Sequence, residues 1–373
     1  GLTPNYTSDD IAAYGENDPY NKYHPAINFK DQMLKNSMSF KRANISASGG
    51  NDVVQYSAYI GYSGEGDIYK IGKQADYNRI NARSIVDIKV NNYITTQVDI
   101  YAGLTFRRSP NYGYNSDFTS EDNNNNPALS LTELPSILND ISSIPPIAFP
   151  VYASYDPVTN IPWFGVSSKY SVNPIGGLTS NGYYNEKGRN GSVKITLDYD
   201  MDQIIKGLKS KTFIGFNGLD LLRIGKAEDY IAYIATPAKT TGGNDTILLK
   251  KVHDGADMSG QAKLHDYYYQ RVDAFENLSY TRSFGASQIQ STLTYYFNTV
   301  SKNGFGDPIR QQTGVWSGLY SFNNKYIIQG VLNYAGTYSF QKGERSKLFP
   351  SLGVSWVISD ENFMSSIKFI NYL

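Results

Sequence analysis

The chain has 373 residues, enough for one large all-β unit or two ordinary domains. Lys plus Arg equal Asp plus Glu at 34 each, so no global field points to nucleic acid or to an acidic membrane surface. Cysteine is absent, which excludes disulfides, thiolate metal sites and cysteine nucleophiles. Tyrosine is abundant, at 32 against 17 Phe and 3 Trp. Its apolar ring and wet hydroxyl suit membrane–water interfaces and polar cavity walls, although tyrosine is also simply a good strand residue. No run of about 18 apolar residues exists, so no transmembrane helix is expected; a barrel strand needs only about 9–11 residues with one lipid-facing side. No signal peptide starts at Gly1 and Leu373 stops abruptly, so the chain reads as an excerpt from a longer polypeptide.

Gly1 to Lys35 is polar and mixed, broken by Asn17-Asp18-Pro19 and His24-Pro25, with a short helix expected near Phe29 to Lys35. Strand patterns begin at Met38. Phe40 to Ser48 leads into a tight turn at Gly49-Gly50-Asn51-Asp52, after which Val54, Tyr56, Ala58, Ile60 and Tyr62 alternate with polar neighbours. A polar loop from Ser63 to Asp76 follows. Ile80 to Lys89 and Ile94 to Arg107 then form a hairpin about Asn91-Asn92, carrying too many charges on the polar side for a dry core. A solvated outer face and the lumen of a barrel both produce that alternation.

Ser109 to Gly188 is expected to be one long loop, rich in Asn and Pro. Such a loop is foreign to a compact soluble domain and normal outside an outer-membrane barrel. Next comes the cleanest strand, in which Val193, Ile195, Leu197, Tyr199 and Met201 alternate with Lys194, Thr196, Asp198, Asp200 and Asp202. After a turn at Gly207-Leu208 the chain returns through Thr212 to Leu222. Arg223 to His265 is expected to be a second loop, and Tyr267 to Arg282 with Gln288 to Thr299 a further hairpin. Ile309 to Phe322, the Asn323-Asn324 turn, Lys325 to Thr337 and Gly353 to Ile358 complete a meander of roughly ten or eleven strands. That is too few for the even, closed barrels of this class.

Tyr320-Ser321-Phe322 with Lys325-Tyr326, then Leu348-Phe349-Pro350-Ser351 with Trp356, then Ile358-Ser359, Glu361, Phe363-Met364 and Phe369-Ile370-Asn371-Tyr372-Leu373 carry a resemblance. Their order and spacing are similar to the barrel of SusC/RagA-type transporters, the TonB-dependent outer-membrane importers of Bacteroidetes-like bacteria. Ser46-Ala47-Ser48-Gly49-Gly50 with Tyr56 and Gly61-Tyr62 resembles an early barrel hairpin of the same family. Asn126-Pro127, Ile147 to Pro150 and Asn173-Pro174-Ile175 resemble its long loop. Asn333 to Tyr338 departs from it, standing where the family usually has an Arg-x-Asp-Gly-Ser-Ser element.

The resemblance implies an all-β, antiparallel up-and-down transmembrane β-barrel, incomplete at roughly half of the strands, with long extracellular loops. It implies a multi-pass protein of the bacterial outer membrane that actively imports oligosaccharides or peptides. A SusD-like surface lipoprotein would form the lid, and the TonB complex would act through segments absent here, the plug and the last strands also being absent. Outer-membrane lipid is the surrounding partner; no nucleic acid and no cofactor are implied. A soluble β-rich carbohydrate-binding or glycan-cleaving protein, or a passive porin, are the alternatives.

Asp198, Asp200 and Asp202 are spaced for an acid–base pair or a calcium site, against which stands a hydrated lumen face balanced by Lys or Arg on neighbouring strands. With Lys194 they are taken as lumen-facing. Glu121 to Asn126 lacks the spacing of a known calcium loop. His24, His253 and His265 are scattered, so no metal site is expected, and no nucleophile elbow or phosphate loop occurs, so no catalytic residue is expected. Tyr267-Tyr268-Tyr269 beside Arg271 could stack on sugars or bases, or sit at the membrane interface. Tyr152, Tyr155, Trp163 and Phe164, in the long loop, are the candidates for contacting a nutrient.

Overall fold

The computed structural model describes residues 7–73, 75–112, 133–257, 260–304 and 306–364. Helices α1 (Ser8–Gly15) and α2 (Phe29–Met33) come first, followed by strands β1 (Phe40–Gly50), β2 (Val54–Glu65), β3 (Asp76–Lys89) and β4 (Ile94–Pro110). An insertion then holds α3 (Glu133–Ser143), β5 (Tyr152–Tyr155), β6 (Pro162–Val166) and α4 (Pro174–Ser180). The remaining strands are β7 (Gly182–Asp200), β8 (Leu208–Lys239), β9 (Asp245–Asp257), β10 (Ala262–Phe284), β11 (Ser287–Lys302), β12 (Ile309–Phe322), β13 (Tyr326–Thr337) and β14 (Ser346–Trp356).

Eleven strands make one antiparallel meander, in the order β1-β2-β3-β4-β7-β8-β10-β11-β12-β13-β14. Among the described residues β1 and β14 are not paired with each other, so the barrel is open. The connections sort by length. Tight turns at Asn51, Asn91, Gly207, Gly285 and Asn323-Asn324 all lie at one end, and the long connections at the other. Asn323 and Asn324 adopt φ of 54° and 56°, the left-handed conformation that asparagine tolerates best after glycine. Gly207, at φ 90°, closes the turn after β7, where a Cβ would collide with the Thr281 carbonyl.

Register decides which face each side chain takes. Ile100 pairs with Val193 and Val193 with Phe216; Val98 pairs with Ile195 and Ile195 with Ile214. Farther along, Leu293 pairs with Trp316 and Trp316 with Leu332, while Tyr320, Ile328 and Val354 form another row. These residues share one face, and no second layer covers it among the described residues: Ile60 is 60% exposed, Ile214 54%, Leu293 54% and Ile328 49%. A soluble sandwich buries its aliphatic face. An aliphatic belt left bare across eleven strands is the outer wall of a transmembrane barrel.

The opposite face is polar and internally paired. Arg83 donates two hydrogen bonds to Asp99, 2.8 Å from Nε to Oδ1 and 2.7 Å from Nη2 to Oδ2. Arg271 Nε donates to Asp273 at 2.9 Å, and the Tyr296 hydroxyl donates to the same carboxylate at 2.6 Å. Such forked, charge-assisted pairs hold side chains in fixed orientations along a wall.

The two expected loops are corrected by the structure. Ser109 to Gly188 is not one uninterrupted loop: β4 runs to Pro110, the insertion has its own helices and hairpin, and β7 starts at Gly182. Its prolines punctuate elements, as Pro174 does in the first turn of α4. Arg223 to His265 is mostly strand, because β8 continues far past the belt to pair with β9. Gly243, at φ 84°, forms only the turn between them. The short helix near Phe29 is present as α2. Asn126-Pro127, Glu121 to Asn126 and Phe369 to Leu373 lie outside the described residues.

Placing a charge in the belt tests its orientation. In the full-length protein, Ile214→Arg should cost about 2–4 kcal/mol of folding free energy in lipid vesicles. Lys211→Gln, on the polar face, should cost about 1 kcal/mol or less. Urea titration followed by the mobility of the unboiled protein on gels measures both; equal costs would place Ile214 away from lipid.

Candidate functional site

The buried apolar core lies at the end of the meander that carries the long connections. Ile27, Phe29, Met33 and Leu34 from the N-terminal segment meet Tyr69 from the β2–β3 connection and Tyr112 just after β4. Ile137, Ile144, Phe149, Val151, Phe164, Val166, Ile175 and Leu178 of the insertion complete it with Tyr230 and Ala232 of β8. The extension of β8 organises this cap: it pairs antiparallel with β9 and parallel with β6 through Phe164–Ala232 and Val166–Ile234.

Asn173 locks the cap. It is buried and caps α4, its Oδ1 accepting from the amides of Ile175 and Gly176 at 3.1 Å each. Its Nδ2 donates to the carbonyls of Val151 at 3.1 Å and Gly165 at 2.8 Å, tying α4 to the β5–β6 hairpin. Its own amide donates to the Tyr230 hydroxyl at 2.9 Å, tying both to β8. The Tyr112 hydroxyl donates to Asp140 Oδ2 at 2.7 Å and anchors α3. Burial pushes the Tyr230 phenol up to about 12 and raises that of Tyr112, where Asp140 adds to the shift.

An aromatic surface sits on this framework. Tyr152 stacks on Tyr20, with centroids 5.8 Å apart, and meets Tyr155 at 5.4 Å. Tyr20 and Tyr155 are exposed, at 55% and 43%. Trp163 stacks on Tyr233 of β8 at 4.6 Å. Phe164 is corrected: next to Trp163 on a strand, it points the other way, wedges between Tyr152 and Tyr230, and is only 2% exposed. It is core, reaching only the floor of a cleft of ≈ 390 Å³. Ile161, Pro162 and Tyr230 also line that cleft, with Lys226, Glu228, Asp229 and Asp254 as its charged groups. Tyr20 was not a sequence candidate, since nothing local in a polar N-terminal segment marks it as meeting Tyr152.

The acidic run of β7 is divided. Asp198 Oδ1 lies 3.4 Å from Lys211 Nζ and Asp200 Oδ2 3.8 Å from Lys209 Nζ, each on the neighbouring strand. Lys194 lies 3.9 Å from Asp99, beside the Arg83 pair. Asp202 is corrected: the strand ends at Asp200, and Asp202 folds into the turn to accept from the Gly207 amide at 2.7 Å. Carboxylates that each face a lysine are suited to a balanced polar wall rather than to sharing a proton or a cation. Nearest the cap, Arg223 Nη2 donates to Glu186 Oε2 at 2.6 Å, with its guanidinium 4.5 Å over the Tyr184 ring. His24 contacts Asp10 at 2.8 Å and His253 the Ser171 carbonyl at 3.2 Å, far apart in the chain. Tyr268, in the Tyr267–Tyr269 run, is exposed on the belt side opposite Asp220.

The whole arrangement is a belted wall, polar on one side, with a folded aromatic cap at one end. That is the form of an outer-membrane β-barrel. No family model matches the chain. A curated protein of Formosa agariphila, TonB-dependent receptor P39, is 24% identical over 356 residues, covering 89% of this chain and 29% of that protein. The RagAB peptide importer in its open-open state superposes with a TM-score of 0.55 at 14% identity, covering 97% of this chain and 40% of the other. Its closed-closed state gives 0.52 at 13% identity, covering 95% and 39%. The chain is accordingly similar to SusC/RagA-type TonB-dependent transporters of the bacterial outer membrane, and it spans about 29% of the curated relative's length.

Two outcomes test the cap. Asn173→Ala orphans several buried groups at about 1–3 kcal/mol each, so the cap should loosen by roughly 3 kcal/mol or more. Hydrogen exchange across 149–178 should speed up accordingly while exchange in β11–β13 stays unchanged. The phenols give a pH dependence. Their folded pKa values exceed the unfolded value of about 10, so their contribution is complete below pH 10 and is lost as pH rises toward 12 and beyond. A spin label at Ser142 should gain mobility over that window, and Tyr230→Phe should move the onset to higher pH.

Proposed function

We propose that the protein is part of a TonB-dependent importer that moves large nutrients, oligosaccharides or peptides, across the bacterial outer membrane. The observation that carries this is a fixed aromatic surface on the cap at one end of a polar, charge-paired wall. Tyr20, Tyr152 and Tyr155 offer flat apolar faces with hydroxyl edges, which suit sugar rings and peptide side chains alike. They are held by a packed cap, so little ordering is needed when a ligand arrives. Along the wall, Arg83–Asp99, Lys211–Asp198 and Arg271–Asp273 leave polarity without a net field, suited to a solvated cargo that must pass rather than stay.

A SusD-like surface lipoprotein closes over the capped end in this scheme, and the TonB complex supplies the energy. The likeness to the RagAB peptide importer and the curated receptor supports the assignment. Transport rather than catalysis is proposed because the acidic residues of β7 are each engaged by a base, Glu186 by Arg223 and Asp198 and Asp200 by lysines.

Uptake of labelled oligosaccharides and of labelled peptides by cells carrying the full-length protein tests this. Uptake of one class should stop when TonB is deleted; persistence would make the protein a passive porin. Losing the Tyr152 and Tyr155 rings together, at about 0.5–1.5 kcal/mol per aromatic contact, should weaken half-saturation by roughly 10-fold with the protein still inserted. Unchanged uptake in that variant would remove the aromatic surface from the mechanism.

A further inference from the structure

The outer belt is not uniformly bulky. Across three strands a row of small residues interrupts it: Ser291 pairs with Gly318 and Gly318 with Gly330, with Leu352 next to Gly330 on β14. Beside the Trp316 ring, which covers Gly318, the backbone at Gly330 floors an apolar groove of ≈ 860 Å³. That is within the range, on the order of 300–1,000 Å³, of sites that hold small molecules. Trp316 forms one wall, its ring folded over Gly318 and fixed by its indole Nε1 donating to Ser291 Oγ at 3.1 Å. No charged residue lines the groove.

Its position identifies the occupant. Between the groove and the Asn323-Asn324 turn lies an aromatic girdle: Phe322 stacks on Tyr326 and Tyr326 on Trp356, with centroids 6.4 Å apart in both pairs. The polar edges of the girdle are satisfied at the turn end, where Tyr326 and the Trp356 indole both donate to Glu361 Oε1, at 2.6 Å and 3.1 Å. Lys325 lies 3.6 Å from the same carboxylate. Rings with wet edges mark the level of lipid headgroups. The groove therefore opens on the hydrocarbon side of the girdle and is continuous with the lipid-facing belt.

We propose that this groove is a phospholipid site, holding one acyl chain of a lipid in the leaflet at the tight-turn end, with its headgroup at the Tyr326–Trp356 girdle. The chain lies on the bare backbone of Gly330 against the Trp316 ring, so this lipid exchanges more slowly than its neighbours on the rest of the belt. The proposal rests on the barrel's place in the membrane and not on what it transports.

Gly330 is the residue to fill. A Cβ built there would meet Trp316 Cζ3 at 3.5 Å, an ordinary contact, whereas one at Gly318 would come to 2.7 Å of Trp316 Cζ2 and displace the indole. Gly314, on the same outward face between Tyr295 and Tyr334 and with open space around it, is the control. Full-length protein is extracted in mild detergent and phospholipid retained per protein is measured by native mass spectrometry. Gly330→Leu should lower retention several-fold while Gly314→Leu keeps the wild-type level. If Gly330→Leu fails to show the folded mobility of the unboiled protein, Gly330→Ala should give a smaller drop in the same direction. Equal retention in wild type and the Gly330 variants, or a wild type that carries no lipid, overturns the proposal. So does release of a second copy of the chain by Gly330→Leu, which would make the groove a protein interface.

Discussion

Side chains alternate across a strand, and neighbouring strands here stay in register throughout the belt, a shift between β8 and β10 lying past it at Lys263 and His265, so every aliphatic row is delivered to the same face. Everything else depends on that. Ile100, Val193 and Phe216 align because β4, β7 and β8 pair without a slip; a shift of one residue would bring Asp99 and Lys194 into the belt. Hydrocarbon offers no partner to a backbone amide or to an unpaired charge, so the pairing of strands and the pairing of charges are both enforced by the same surroundings. Among the described residues nothing covers the belt, and the ion pairs beside it, such as Arg83–Asp99 and Lys211–Asp198, lie on the other side, while Arg189–Asp220 stands on the outward face toward the cap.

Because the wall spends its apolar residues on lipid, the protein's dry core has to be built elsewhere. It is built in the cap, from four stretches far apart in the chain that converge on the extension of β8. Asn173 shows how little slack this leaves: a single buried amide satisfies a helix start, two strand carbonyls and, through its backbone, a tyrosine hydroxyl. Buried polar groups that are fully satisfied rigidify a structure, and here the rigid part carries the exposed aromatic faces. Rigidity at the mouth and exposure of Tyr20 and Tyr155 are two results of one packing solution. The groove at Gly330 is the converse case, a place where the belt omits a side chain and hands the contact to the membrane.

Much of the barrel was legible in the chain. The alternation in Val193 to Asp200, the glycine and asparagine turns, and the motifs from Tyr320 to Met364 located strands and connections, since a period of two and a preference for positive φ are local properties. The cap was not legible. Proline and glycine around Pro174 read as loop, because contacts that order that segment come from residues more than a hundred positions away, such as Ile27 and Phe29, and the segment around Gly243 reads as loop because the β8–β9 pairing there continues past the belt. Trp163 and Phe164 look equivalent in the chain, yet one faces Tyr233 and the other is buried. Asp202 continues the alternation by spacing but falls in the turn, where the Gly207 amide claims it.

By itself the sequence determined an all-β meander with two unlike faces, its turns and its likeness to outer-membrane importers, all of which follow from residue type and spacing along one strand. Tertiary structure alone decided which face lies bare, which lysine meets which carboxylate, that the long connections fold into a cap, and which aromatic rings reach its surface. Those outcomes depend on register between strands and on burial against distant segments, and neither is written in the local order of residues.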